Sequence, residues 1–109
     1  MNCIVGSFID DIIMALGGWS VEQEMDPEMM GYVDLFHNDI IFYLDEHYPE
    51  AELINYEPLL FYAQAVYGKH YRIVITPIID GNEVKEIAVT FFINLADKIS
   101  LEDIQEFNI

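Results

Sequence analysis

The sequence predicts an α+β domain: one long helix followed by an antiparallel sheet wrapped across it. Three observations carry this expectation. Residues 26–48 place apolar side chains at helical spacing behind a good cap. After Pro58 the pattern changes to extended runs rich in β-branched and aromatic residues. The helix also precedes all of those runs, so its apolar stripe and one face of a meander bury each other most economically.

The elements follow in order. Residues 1–16 form an apolar arm, and "GGWS" (17–20) reads as a flexible joint because paired glycines relax the backbone. Asp26 suits an N-cap, Pro27 the first helical position and Glu28 the positive end of the helix dipole. The helix is expected to run to His47 or Tyr48, before Pro49. At 100° per residue Met29, Val33, Phe36, Ile40, Tyr43 and Leu44 share one face. Leu35 and Phe42 fall on the polar side, either as scattered exposed residues or as a contact patch. "LLFYAQAV" (59–66), "YRIVITPII" (71–79) and "EIAVTFFIN" (86–94) read as strands, with "DGN" (80–82) as a hairpin turn. Pro77 points to a bulge or an edge. "SLEDIQEF" (100–107) fits a capped helix or a last strand equally well, giving three or four strands in all. The division is thus an arm, 1–16, and one domain, 17–109.

About half of the 109 residues are apolar and 14% are aromatic, enough for a packed core. The net charge of −16 is unevenly spread. Residues 1–68 hold 13 acids and no Lys or Arg, whereas 69–109 hold 7 acids against Lys69, Arg72, Lys85 and Lys98. Such a field opposes nucleic-acid phosphates and anionic membranes as partners. It reads first as solubility, with a face that steers a basic partner or mimics nucleic acid as the sharper alternatives. No apolar run reaches the ~18 residues of a membrane span. The opening stretch lacks a basic region and is interrupted by Asp10 and Asp11, so it reads as a poor secretory signal. With Cys3 as the single cysteine, a cytoplasmic setting is expected, with a removed signal peptide as the alternative.

No constellation calls for catalysis, a metal or a cofactor. Pairing Cys3 with His37, His47 or His70 as nucleophile and base has no support from spacing. His37 and His47 stand ten apart, not at a helical metal-ligand interval. "IDGNE" is too short for a calcium loop, and no glycine loop of phosphate-binding type is present.

The motifs do resemble a family. "QAVYG" (64–68) matches the Q-x-V-x-G loop of the cystatins, inhibitors of papain-like cysteine proteases. "GGWS" resembles their N-terminal double glycine. "MMGYVDLFHN" (29–38), through Tyr32, Val33, His37 and Asn38, is similar to the helix signature of plant members. "DPE" and "IQEF" are also of plant type, so the resemblance runs from about residue 17 to 107. Two stretches depart from the pattern. "NLADK" (94–98) lacks the usual Pro-Trp pair, leaving Leu95 as its large apolar residue, and the arm before the glycines is long.

The resemblance implies a cystatin-like fold, one long helix wrapped by a four- to five-stranded antiparallel sheet. It implies a wedge of three parts that enters a papain-like or cathepsin L-like active-site cleft reversibly and competitively. Leu16, after Ala15, would fill an apolar subsite, and Gly17 and Gly18 would pass close to the cleft wall. Gln64 would hold the first loop's shape, with Ala65 beside it, and Val66 would be a compact contact. Tyr67 would add an aromatic surface, Gly68 would supply a positive φ, and Leu95 would stand for the second loop. Rigid hairpins lose little entropy on docking. The alternative is a protein-binding module of the same fold without inhibition. The hairpin bearing "QAVYG" could also exchange between chains, so a monomer or a domain-swapped dimer is expected.

Overall fold

The expected helix start forms as the sequence dictates. In the computed structural model, which describes residues 18–65 and 67–107, Asp26 is extended and its Oδ1 accepts from Met29 N–H at 2.8 Å. Pro27 then opens α1 (Pro27–Leu35). A second helix, α2 (His37–His47), ends at Tyr48 just before Pro49. The expectations for residues 1–16, Gly17 and Val66 lie outside the described residues.

The single long helix is not observed. Phe36, at φ −97° and ψ 12°, separates two short helices. Its side chain is drawn into the core, with its ring 5.1 Å from that of Phe91, and the next residue, His37, hydrogen-bonds through Nδ1 to the Tyr56 hydroxyl. Helical periodicity reports which face is buried and says nothing of backbone continuity. Met29, Val33, Phe36, Ile40 and Leu44 are indeed buried together across the break.

The sheet, not the helix, dominates the molecule, and it is larger than expected. Among the described residues, six antiparallel strands replace the three or four read from the sequence and the four or five implied by the resemblance. They are β1 (Gln23–Glu24), β2 (Ile54–Ala65), β3 (Gly68–Ile79), β4 (Asn82–Glu83), β5 (Ile87–Asn94) and β6 (Ile99–Glu106). The order is β1-β2-β3-β5-β6, with β4 paired to β3 beyond the end of β5. β1 and β4 are two residues long, too short to leave a period-2 signal. The α+β picture of a sheet wrapped around one long helix is therefore corrected to a mostly antiparallel sheet with two short helices on one face.

Two bulges keep that face apolar. On β2 the register shifts between Pro58 and Leu60, so Ile54 and Tyr56 before the shift and Phe61 and Ala63 after it all reach the core. On β6 a shift opposite Thr90 and Phe91 does the same for Leu101 and Ile104. Pro77 lies past the last β3–β5 pair, Ile75 with Ile87. Its carbonyl accepts from Val84 N–H at 3.1 Å on the side away from β2, and its absent donor costs no β5 ladder bond. "SLEDIQEF" resolves as strand.

The core is aromatic at its centre. Phe91 is fully buried, with the Tyr32, Phe36 and Tyr71 rings 4.9, 5.1 and 5.5 Å from it. Full burial of such a side chain is worth about 1.5–3 kcal/mol, and well-placed rings add about 1 kcal/mol more. The opposite face carries Trp19 over Arg72, and the Tyr62 and Phe107 rings meet there at 6.0 Å. Leu35 and Phe42 are 58% and 65% exposed on the helices.

Candidate functional site

Antiparallel pairing brings two of the sequence-predicted segments, the β2–β3 and β5–β6 turns, to one end of the sheet. Ala65 faces Lys69, so the β2–β3 turn is short, and Gly68 faces Asn94, so the β5–β6 turn lies directly beside it. On the other flank Ser20 N–H donates to Ala63 O at 2.8 Å, which holds the chain just after Gly18 one residue from Gln64. Gln64, Ala65, Tyr67, Gly68 and Leu95 thus lie at one end of the sheet, with Gly18 two residues before the Ser20 contact to Ala63. Leu16, Gly17 and Val66 are outside the described residues.

Each turn is built differently. Tyr67 adopts φ +54°, a left-handed conformation uncommon for an aromatic residue, and its side chain is 87% exposed. Gly68 follows at φ +135°. A Cβ there would sit 2.5 Å from Ile93 O and 2.9 Å from the Phe92 ring. The positive φ was expected; the close approach of β5 is a second, stricter requirement that the sequence did not disclose. The β5–β6 turn is set by Asn94. Its Oδ1 accepts from Ala96 N–H at 2.8 Å and Lys98 N–H at 3.0 Å, while Asp97 takes φ +61°. This turn holds Leu95 outward, 82% exposed. Asn94 was missed as a shaping residue, although an Asn that opens a short polar turn is a readable signal.

A cleft of about 260 Å³ adjoins this end, lined by Glu28, Tyr32, Lys69, Ile93, Asn94, Leu95 and Asp97. Burial raises the Tyr32 hydroxyl pKa above its ordinary value, with Glu28 and then Asp97 adding to the effect. Burial likewise pushes Tyr71 up to about 12. The joint after the glycines is anchored rather than loose: besides the Ser20 contacts, the Trp19 ring lies 4.3 Å from the Arg72 guanidinium.

The histidines have local roles. His37 bonds Tyr56, and His47 Nδ1 is 2.9 Å from Tyr43 O with its ring stacked on Tyr43. His70 Nε2 is 3.4 Å from Glu102 Oε1, with its ring 4.4 Å from that of Phe92. Among the described residues no group of three or more His, Cys, Asp or Glu is arranged to hold a metal ion. Among them, too, no helix is long and apolar enough to cross a membrane. No family model matches the chain, and no curated protein or solved structure matches it.

Proposed function

We propose that the protein is a reversible, competitive inhibitor of papain-like cysteine proteases. The observation that supports this reading best is that the β2–β3 turn and the Asn94-built turn lie side by side at one sheet end, where Tyr67 and Leu95 expose large apolar side chains, with the chain after Gly18 held beside Ala63. Such an end is narrow, because it is made of tight turns. It is stiff, because Gly68 abuts β5 and Asn94 bonds its own loop. It would fill a cleft with backbone turns rather than present a scissile peptide to the thiolate. Leu95 takes the part of the Pro-Trp pair that "NLADK" lacks. Micromolar protein is expected to suppress papain or cathepsin L turnover of a small peptide substrate, with KM raised and kcat unchanged. Undiminished turnover across a panel of such proteases would reject the proposal.

A second reading, a protein-binding module without protease inhibition, rests on a different observation. Leu35 and Phe42, one on each helix, are both well exposed. Leu35→Ser with Phe42→Ser would then abolish a pull-down interaction with a basic protein while leaving any protease inhibition intact.

A further inference from the structure

The sheet ends differently on its two sides. The β2 side is guarded: β1 pairs with Leu60 and Phe61, Ser20 bonds Ala63, and Pro58 with the register shift after it spoils the ladder further along. On the β6 side no described strand follows. The phase of the β5–β6 ladder says which backbone groups that leaves. Phe107 N–H donates to Glu86 O at 2.8 Å, and strict alternation then puts Gln105 and Asp103 in bonded pairs with Ala88 and Thr90. The N–H and C=O groups of Ile104 and Glu106 therefore point away from the sheet. Two carboxylates flank them. Asp103 and Glu106, three apart on a strand, lie on opposite faces. Asp103 is in no ion pair among the described residues, and Glu106 meets Lys85 at 3.4 Å with both side chains about half exposed. Burial raises the Tyr43 phenol above its ordinary pKa, and Glu106, Tyr48 and Asp103 add to the effect, so the field of both carboxylates reaches α2. Ile104, between them, is partly buried against the core.

We propose that the outer edge of β6 from Asp103 to Glu106 takes up an extended basic peptide as an added antiparallel strand. Ile104 and Glu106 supply the backbone hydrogen bonds, and Asp103 and Glu106 select cationic side chains. Along the added strand the residues that fit are a basic one opposite Glu106, any residue opposite Gln105, an aliphatic one opposite Ile104 and a second basic one opposite Asp103. A second copy of this chain is a poor occupant. Antiparallel self-pairing of β6 about its centre sets Glu102 of each strand opposite Asp103 of the other, and like charges directly opposite are unfavourable. The acidic side chains thus guard the edge against its own kind while admitting a cation-bearing strand. The inference does not depend on protease inhibition.

The test titrates a synthetic peptide of about eight residues, with Lys-Thr-Val-Arg at its centre, into the full chain at low salt. In the complex the Ile104 and Glu106 amides should exchange more slowly, while that of Gln105, already paired with β5, changes little. Methylating the Val nitrogen, which faces β6, should abolish binding, and methylating the Thr nitrogen, which faces away, should be tolerated. Asp103→Asn with Glu106→Gln should weaken binding about fivefold. Equal effects of the two methylations, or unchanged Ile104 exchange in the complex, would overturn strand addition. A peptide with Glu in place of Lys and Arg that bound as well would overturn the selection of cations, and a basic peptide that failed to bind would overturn the site.

Discussion

β3 turns back in a hairpin at each of its ends, and the two turns obey opposite rules. At the Ile79 end the turn residues Asp80 and Gly81 take φ +50° and +85°, the positive pair that a two-residue hairpin of matching twist requires. Asp80 is also tied down: its Oδ1 accepts from Glu52 and Leu53 N–H at 3.0 and 2.8 Å, and its own N–H donates to Leu53 O. At the Gly68 end a tyrosine occupies the left-handed region and exposes its ring. One turn contents itself with closing the chain. The other tolerates strain and an exposed aromatic side chain, a combination that folding alone does not favour and that is consistent with the contact role proposed above.

The widest separation between the two turns lies in their glycines. Gly68→Ala should cost at least about 3 kcal/mol, or prevent folding, because a positive φ and a hard clash with Ile93 O coincide. Gly81→Ala should cost only about 1 kcal/mol, since nothing lies within 4 Å of its added Cβ. Urea unfolding of both variants measures the difference. Equal costs would erase it. A substitution at Gly68 therefore cannot separate loss of inhibition from loss of the fold, and the turn must be probed at Tyr67.

The next effect tests the opposite end. Asp80→Ala removes an acceptor shared by two amides and places alanine at positive φ, for an expected loss of about 2 kcal/mol. Asp80→Asn keeps an acceptor and a side chain that tolerates this conformation, so it should lie between alanine and the native residue. Neither change should alter inhibition, because Asp80 is at the far end of β3 from Gly68.

What the sequence made legible follows from which signals are local. The cap at Asp26, the stop before Pro49, the "DGN" turn and the buried stripe from Met29 to Leu44 all rest on interactions within a few residues. The break at Phe36 was not legible, because it accompanies the packing of Phe36 on Phe91, a partner 55 positions away in the chain. The bulges after Pro58 and in β6 were hidden for the same reason, since register belongs to two strands at once. At the candidate site Gly68 was read for its φ and not for its contact with β5. "GGWS" was read as loose, because the Ser20 bonds to Ala63 span 43 positions.

The smallest expected effect discriminates best between a turn that only closes a chain and one that meets a partner. Tyr67→Asn places a residue tolerant of the left-handed region at φ +54° and removes a ring that is 87% exposed. Little packing is lost in the free protein, so stability should rise, by less than about 1 kcal/mol. If the ring touches a protease, the same substitution should weaken papain inhibition. Stability and affinity would then move in opposite directions at one residue, which a purely structural turn cannot produce. Urea midpoints and inhibition constants measured on the same preparation decide it. Inhibition unchanged by Tyr67→Asn would mean that the strained turn contributes its shape alone and that the apolar contact lies elsewhere on the edge.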